Sequence, residues 1–271
     1  MNSVGIVGVG LIGGSFALAL RQAGFTGRII GVSSQPAIDA ALARGVIDEA
    51  LPLSRAAAVS DFIYLSQPIE RILHTIDVID EAINPSVRPG ALITDAGSTK
   101  VAIVNRAAAA IRRGRFVGGH PMAGKESRGV EQSDAGLFQG RPYVLTARDA
   151  ELESWIERIG ARLVVMTAEE HDRLVAVTSH LPQLISTALA SVIGALPDAA
   201  KVAGPAAVDL TRLALSPYDI WRDIFATNAD SVDAALGAFI AKLEELRAAL
   251  RSPEMERAFE SAAAAAKALR R

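Results

Sequence analysis

Seven short runs rich in apolar and β-branched residues alternate with helical patterns over the first 166 residues. The runs are VGIV (4–7), RIIGV (28–32), DFIYLS (61–66), ALITD (91–95), RFVGG (115–119), PYVLT (142–146) and RLVVM (162–166). Helical patterns lie between them, near 11–23, 36–44, 69–83, 101–113 and 151–160. Strands separated by helices of this length predict right-handed crossovers, and therefore a mainly parallel sheet with helices on both faces.

The character of the chain changes after residue 166, since no convincing strand pattern follows. The segment 169–196 has apolar residues at helical spacings, although Pro182 should kink it. We therefore predict two domains, an α/β domain over 1–166 and an all-helical domain over 167–271. The alanine-rich tail after Pro253 is predicted to be a final surface helix.

A heptad pattern runs through the last third of the chain. Its apolar positions alternate in steps of four and three, at Val232, Leu236, Phe239, Leu243, Leu246 and Leu250. Such a seam fits either an ordinary amphipathic helix packed within its own subunit or a contact between two subunits. The second interpretation makes the helical domain a dimerisation domain, and a homodimer the expected assembly.

Composition excludes several classes of function. The 28 Lys and Arg residues nearly balance the 30 Asp and Glu residues, which removes any general attraction to nucleic acid or to an anionic membrane. The absence of cysteine excludes disulfides and thiolate chemistry, and four dispersed histidines without HExxH spacing make a metal site unexpected. The first residues read as a strand and not as a signal peptide, and no stretch of about 18 residues lacks polar groups, so we expect a soluble, cytoplasmic protein.

The motif GVGLIG opens the first predicted helix directly after the first predicted strand. Gly8, Gly10 and Gly13 have the G-x-G-x-x-G spacing, with Leu11 and Ile12 between them. In this context the glycines allow a tight turn, a close approach to a pyrophosphate and close packing of helix on strand. The motif predicts a Rossmann-type dinucleotide-binding domain.

The end of the second strand bears on which nicotinamide cofactor is used. At the position where an acid would hold the ribose hydroxyl of NAD stands Ser33, followed by Ser34. Without a carboxylate a 2′-phosphate is not repelled, and the serines could donate hydrogen bonds to it, although no arginine is adjacent in sequence. NADP or dual use is therefore favoured over strict NAD use.

Four further segments are hard to explain as scaffold: DAGSTK (95–100), GGHPMAGKES (118–127), SHLPQ (179–183) and DLTRLALSPYDIWRDIFATN (209–228). The histidine of GGHPMAG, between a glycine pair and a proline, is expected on a sharply turned loop. Together with GVGLIGGS, these segments resemble the prephenate and arogenate dehydrogenases of tyrosine biosynthesis, in the same order over nearly the whole chain. The HPMAG and TR…W-RDI…N stretches are the specific part of the resemblance.

The resemblance implies an oxidative decarboxylation, in which a cyclohexadienol gives up a hydride to the nicotinamide, loses its ring carboxylate as CO2 and becomes a phenol. Removal of the carbinol proton needs an acceptor with a pKa near neutrality, for which histidine is suited. His120 matches the family's catalytic histidine. Ser98 matches a serine that hydrogen-bonds that histidine, and its alternative is an N-cap for the helix near Val101.

The resemblance also implies substrate-binding residues. A dianionic substrate needs a cation that makes paired hydrogen bonds, for which arginine is better suited than lysine. Arg212 in LTRLA matches the family's carboxylate-binding arginine, and Trp221 follows at the expected nine-residue step. Arg222 and Asp223 are interpreted as a structural pair on a helix surface.

Two other residues keep alternatives open. Glu126 matches an acid in an ion network that gates the site, with a solvated loop charge as the alternative. His180 is either a substrate ligand or a buried histidine satisfied by hydrogen bonding. His74 and His171 look like surface or helix-end residues and receive no role.

The sequence departs from the family pattern at two positions. Gln183 stands where some members have a second histidine near the substrate side chain, which puts inhibition by tyrosine in doubt. Val208 stands where some members have a basic residue. Both departures remove positive or protonatable character near the substrate side chain, so arogenate is a serious option beside prephenate. The alternatives in function are another Rossmann-type hydroxyacid or imine reductase, and a nucleotide-binding regulator without catalysis.

Overall fold

The computed structural model describes residues 1–83, 90–125 and 127–270. The strands in these residues form two sheets. They are β1 (Ser3–Val7), β2 (Arg28–Val32), β3 (Glu49–Ala50), β4 (Phe62–Leu65), β5 (Leu92–Asp95), β6 (Arg115–Val117), β7 (Gly119–Pro121), β8 (Pro142–Leu145) and β9 (Arg162–Val165). The first sheet is parallel, in the order β3-β2-β1-β4-β5-β6, and the second has the order β7-β8-β9.

Helices cover the first sheet and make up the chain after residue 166. They are α1 (Leu11–Gln22), α2 (Gln35–Ala43), α3 (Leu53–Val59), α4 (Ile69–Ala82), α5 (Val101–Ala110), α6 (Ala150–Arg158), α7 (Ala168–Val175), α8 (Leu181–Gly194), α9 (Pro205–Thr211), α10 (Tyr218–Thr227), α11 (Ala229–Ala249) and α12 (Glu254–Ala268). A π-helical turn, Ala176–His180, joins α7 to α8, and a 3-10 turn, Arg212–Leu215, precedes α10. The fold class is thus confirmed, whereas the division at residue 166 stays a prediction.

All seven predicted strands are present, but they do not share one sheet. β8 and β9 pair in parallel with each other, and β7 adds to β8 in antiparallel register. Three elements of the α/β part were missed, namely β3, α3 and β7, and α9 and α10 of the helical part were not predicted as separate helices. β3 and β7 are only two and three residues long, too short to show a period of their own.

Two glycines explain why the predicted run RFVGG divides into β6 and β7. A Cβ on Gly118 would lie 2.8 Å from Thr146 Oγ1, and a Cβ on Gly119 would lie 2.6 Å from the carbonyl oxygen of Asp95. Any larger side chain would therefore collide where the chain passes from the first sheet to the second. The glycine pair of GGHPMAG is required by this close approach.

Apolar layers lie on both faces of the first sheet. One layer contains Phe16 of α1, which stacks on Tyr64 of β4 with ring centroids 4.0 Å apart. The other contains Ile72 and Ile76 of α4 and Ile103 of α5. Packing on both faces fixes the carboxyl edge of the sheet, where the loops that carry the candidate site residues emerge.

The predicted kink at Pro182 takes the form of the π-helical turn that precedes α8. Proline has no N–H to donate to the preceding turn, so the helix widens there. The stretch Ala168–Gly194 is the one helix among the described residues that is long and apolar enough to cross a membrane by length and composition. It nevertheless carries His171 and Asp172, both buried and hydrogen-bonded to the α/β part, as expected for the core helix of a folded domain.

Most of the large apolar side chains that the described structure leaves exposed follow residue 166, as on α8, α9, α11 and α12. The heptad pattern of α11 divides accordingly. Val232 is buried, and Leu236 and Phe239 pack against the small core around Ala176, whereas Leu243 and Leu250 are exposed. The first half of the seam therefore packs within the subunit, and the second half is left open to a partner. The alanine-rich tail forms α12, which is largely exposed as predicted.

A carboxylate of the helical part bonds to a helix N-terminus of the α/β part. Asp223 of α10 accepts a hydrogen bond from the backbone N–H of Glu70 at the start of α4. Arg222 bonds to the carboxylates of Asp223 and Glu70. The predicted pair of Arg222 and Asp223 is present, but Asp223 is buried and not on the helix surface.

Candidate active site

The glycine motif forms a cradle at the carboxyl end of β1. Gly8 has a φ of 99°, and a Cβ on Gly13 would lie 2.3 Å from the carbonyl oxygen of Gly8, so glycine is required at both positions. A Cβ on Gly10 would meet nothing within 4 Å, so the turn opens to solvent there. Leu11 and Ile12 begin α1, whose N-terminal N–H groups face this opening and favour an anion. The cradle fits the pyrophosphate of a dinucleotide.

A cleft of about 450 Å³ continues from the cradle along the carboxyl ends of β2 and β4. Ser33 and Ser34, both exposed, line it together with Ser66 and Gln67. Arg71, on the first turn of α4, also lines it. Arg71 is far from Ser33 along the chain because it lies on α4. The two residues line one cleft because β2 and β4, which precede them, end at the same edge of the sheet.

The histidine of GGHPMAG lies in a strand, so the expectation of a turned loop was wrong. His120 is the middle residue of β7 and pairs with Val144 of β8. β7 is an edge strand with only β8 beside it, which is why Pro121 can end it without breaking a central ladder. Strand pairing fixes the position of the backbone of His120.

The side chain of His120 begins a chain of hydrogen bonds into α7. Its Nδ1 lies 2.8 Å from Nε2 of His171, and Nδ1 of His171 lies 2.7 Å from Oδ1 of Asp172. His171 and Asp172 are only 1% and 2% exposed, so the expectation that His171 is a surface residue was wrong. We name these three side chains the histidine chain.

The chemistry of Asp172 fixes the direction of the histidine chain. Its carboxylate also accepts hydrogen bonds from the backbone N–H groups of Lys100 and Val101, at 2.6 and 2.9 Å. A carboxylate only accepts, so Nδ1 of His171 donates to it, and a neutral His171 then accepts at Nε2. His120 consequently donates from Nδ1, and its Nε2 keeps a lone pair that no described residue occupies.

The surroundings of His120 keep its imidazole neutral. Burial lowers the pKa of His120 well below its usual value, and electrostatic interactions with His171, Lys100 and His180 lower it further. A neutral imidazole with a free Nε2 is a proton acceptor at physiological pH.

A fully buried ion pair lies directly behind His120. Lys100 Nζ bonds to Oδ2 of Asp95 and, at 2.7 Å, to the carbonyl oxygen of Gly119. The other carboxylate oxygen of Asp95 accepts the N–H of Gly119 at 3.1 Å. Burial raises the pKa of Asp95 and lowers that of Lys100, and their mutual attraction opposes both shifts. The pair thus holds both backbone groups of the residue before His120.

Ser98 follows β5 near this pair and is partly exposed. The predicted hydrogen bond to His120 is not formed in the described part of the chain, where Nδ1 of the histidine bonds to His171 instead. The alternative of an N-cap was also wrong, because Asp172 caps the N-terminus of α5 from the neighbouring helix. The hydroxyl of Ser98 is left available, and its role stays a prediction.

His180 and Trp221 meet beside the histidine chain. His180 is 1% exposed, and its Nδ1 accepts a hydrogen bond from Asn228 Nδ2 at 3.4 Å. Its ring meets that of Trp221 edge to face, with centroids 6.0 Å apart, while the indole N–H donates to Ser216 Oγ at 2.9 Å. Burial lowers the pKa of His180 to about 4, so it is neutral. These contacts agree with the buried, hydrogen-bonded alternative for His180, and whether it also touches substrate stays a prediction.

Gln183 is 5% exposed and lies three residues after His180 on the same helical stretch. Its amide N–H donates to Thr187 Oγ1 at 3.3 Å, and that hydroxyl donates in turn to the backbone carbonyl of Gln183. The hydroxyl of Thr187 uses its proton in this bond, so the atom of Gln183 that bonds to it must be the amide nitrogen. The amide oxygen of Gln183 has no hydrogen-bond partner among the described residues. Gln183 therefore presents a buried acceptor that lacks a donor.

The two remaining predicted substrate residues are Arg212 and Glu126. Arg212 is exposed in the 3-10 turn that packs against α8. Glu126 lies outside the described residues. Their predicted roles stay predictions.

Several site residues were missed from the sequence. His171 and Asp172 are adjacent at the start of an apolar helix, and no spacing pointed to them. Lys100 and Asn228 lie within two of the four segments that the sequence analysis singled out as functional. The sequence therefore identified the segments of these residues but not their contacts.

The fold and the glycine cradle place the chain among nucleotide-binding proteins of the Rossmann type. The family model of the prephenate dehydrogenase nucleotide-binding domain matches residues 16–169, and that of the prephenate dehydrogenase dimerisation domain matches residues 167–263. The chain therefore belongs to the prephenate dehydrogenase family and is an NAD(P)-dependent oxidoreductase of tyrosine biosynthesis.

Individual relatives agree with this. The chain is 32% identical over 255 residues to a prephenate dehydrogenase of Lactococcus lactis, an alignment that covers 91% of this chain and 70% of the relative. It resembles the crystal structure of Synechocystis arogenate dehydrogenase with a TM-score of 0.85 and 30% identity, over 98% of this chain and 99% of the other. It resembles prephenate dehydrogenase from A. aeolicus, solved with hydroxyphenyl propionate and NAD+, with a TM-score of 0.83 and 32% identity, over 100% and 96%.

Proposed function

We propose that the chain oxidatively decarboxylates arogenate in preference to prephenate, with His120 as the proton acceptor. The observation that carries the catalytic part is the histidine chain, which gives a neutral imidazole whose Nε2 no described residue occupies. The bound NAD(P)+ supplies the hydride acceptor. The residues of the chain supply binding, orientation and the movement of one proton.

The proton step follows from the direction of the histidine chain. As the carbinol C–H leaves as hydride, Nε2 of His120 accepts the hydroxyl proton. The positive charge that develops on the imidazole is stabilised through His171 by the carboxylate of Asp172. When the ring loses CO2, the electrons of the broken bond complete the aromatic ring, and the proton returns from His120 to the phenolic oxygen.

Substrate binding is assigned to residues of the helical part. Arg212 is proposed to bind a substrate carboxylate, because guanidinium forms paired hydrogen bonds with carboxylates. Trp221 and His180 are proposed to line the ring pocket beside the histidine chain, and Ser98 to bond to the substrate near the nicotinamide. Glu126 is proposed to gate this pocket.

The preference for arogenate rests on Gln183. A buried carbonyl oxygen without a donor costs about 1–3 kcal/mol, which a ligand donor would recover. The side-chain ammonium of arogenate is such a donor, whereas the ketone of prephenate is only an acceptor. We infer that the amide oxygen of Gln183 accepts a hydrogen bond from the ammonium.

A homodimer is proposed as the assembly. Exposed apolar side chains are more numerous on α8, α9, α11 and α12 than the single scattered ones expected on a monomer surface. The match to a dimerisation domain covers these helices. A cytoplasmic location is supported by family membership and by the absence of cysteine.

The experiment that tests the activity is a two-by-two assay of the purified protein, with arogenate or prephenate against NADP+ or NAD+, followed by the absorbance of reduced nicotinamide. We expect the highest kcat/KM with arogenate. Turnover of prephenate alone would contradict the role of Gln183, and absence of turnover in all four combinations would contradict the proposed activity.

A variant isolates the role of Gln183. Gln183→Met keeps the length of the side chain and removes the amide, so kcat/KM for arogenate should fall about 10-fold while that for prephenate changes little. Gln22→Met, on the exposed end of α1, serves as the control. Equal losses for both substrates would refute a contact with the ammonium.

A further inference from the structure

One cationic side chain on the wall of the cofactor cleft has no partner among the residues that the structure describes. Arg71 lies on the first turn of α4, is exposed, and lines the cleft with Ser33 and Ser34. Within the described residues its guanidinium makes no hydrogen bond or ion pair. Other arginines near the surface do, such as Arg106 with Asp77 and Arg128 with Asp219.

The neighbours of Arg71 leave the cleft open to an anion. Glu70, the acid beside it in sequence, bonds to Arg222 on α10. The other charged residue on the cleft wall is Glu131, whose carboxylate folds back over Gly129. The first turn of α2 carries no acid, so no carboxylate of that turn repels a phosphate at the end of β2.

Hydrogen-bond donors complete the same wall. The hydroxyl of Ser34 precedes α2 but makes no capping hydrogen bond. Neither Ser33 nor Ser34 has a side-chain partner in the part of the chain that the structure describes. Two free hydroxyls and a guanidinium on one cleft match the donors that a phosphate monoester needs.

We propose that Arg71, together with Ser33 and Ser34, binds the 2′-phosphate of NADP and gives the enzyme its preference for NADP over NAD. The proposal rests on the proposed nucleotide cleft and adds to it the residue that selects the cofactor. Arg71 reaches the site from α4 because β2 and β4 flank β1 in the parallel sheet and end at the same edge.

The test measures binding without catalysis. Isothermal titration of the full-length protein compares adenosine 2′,5′-bisphosphate with adenosine 5′-monophosphate, which differ only in the 2′-phosphate. The wild type should bind the bisphosphate more tightly. Arg71→Ala should weaken the bisphosphate about 10-fold or more and leave the monophosphate unchanged, because a charge-assisted pair of hydrogen bonds is lost.

Two variants control for charge and for geometry. Arg44→Ala removes the same charge at the far end of α2 and should change neither affinity. Arg71→Lys keeps the charge but not the paired donors, so it should retain part of the discrimination. The ratio of kcat/KM for NADP+ over NAD+ should fall in Arg71→Ala by the same factor as the binding ratio.

The outcomes separate the two proposals. Unchanged discrimination in Arg71→Ala, or equal affinity of the wild type for both nucleotides, would overturn the role of Arg71 and leave the cofactor cleft standing. Failure of the wild type to bind either nucleotide would overturn the cleft as well.

Discussion

Replacing His171 tests whether the histidine chain orients His120. In His171→Leu the Nδ1–H of His120 loses its acceptor at 2.8 Å, and no other described residue can replace it. A buried donor left unpaired costs about 1–3 kcal/mol. In the variant this cost destabilises the tautomer of His120 that carries its proton at Nδ1 and its lone pair at Nε2. Each 1.36 kcal/mol is tenfold in rate, so we expect kcat to fall about 10-fold to 100-fold.

Rescue distinguishes orientation from simple structural damage. His171→Gln can place an amide oxygen near the position of Nε2 and should recover much of the lost rate. The kinetics are measured at saturating cofactor, with thermal melting to confirm folding.

The reasoning would be refuted by His171→Leu with wild-type kcat. It would also be refuted if Leu and Gln lost equal amounts of activity while melting like the wild type, since the Gln variant retains an acceptor. An increase in KM for substrate with kcat unchanged would assign His171 to binding instead.

Three further predictions concern the same site. His120→Asn should cut turnover about 100-fold or more and leave substrate affinity, measured by titration, nearly unchanged; near wild-type turnover would contradict the assignment. His180 has a pKa of about 4 in the folded chain and about 6.5 when unfolded, so between these pH values it binds a proton only in the unfolded chain. The free energy of unfolding should therefore fall by up to about 3 kcal/mol as the pH drops through this range. His180→Leu should remove that part of the pH dependence, measured by urea titration. Lys100→Met should cost about 3–5 kcal/mol of stability because it leaves Asp95 buried and unpaired, and adding Asp95→Asn should recover part of the loss in thermal melts; equal melting of both variants would show that the pair is not coupled.

The sequence was a good guide wherever a feature is local. Alternating runs located the long strands and helices, and the G-x-G-x-x-G spacing located the cradle, because both depend on neighbours along the chain. The short strands β3 and β7 were missed since they are stabilised by pairing partners that sequence does not reveal. The HPMAG motif identified His120 as a site residue, but the sequence did not predict the strand β7 in which it lies.

Several of the contacts that make the site join segments that are far apart in sequence. His171 lies 51 residues from His120, and Asn228 lies 48 residues from His180. Arg71 is 38 residues from Ser33, yet both line one cleft. No periodicity carries such information, so the sequence identified the segments that matter without their partners.

The two parts of the chain are joined where catalysis requires precise geometry. Asp172 caps α5 while it holds His171, and Asp223 bonds to the first turn of α4, which also carries Arg71. Each carboxylate is favoured at a helix N-terminus by the unpaired N–H groups and the helix dipole. The same hydrogen bonds therefore dock the helical part and orient the histidine chain. A substitution that loosens this docking should lower turnover before it unfolds the α/β part, since the sheet keeps its own core on both faces.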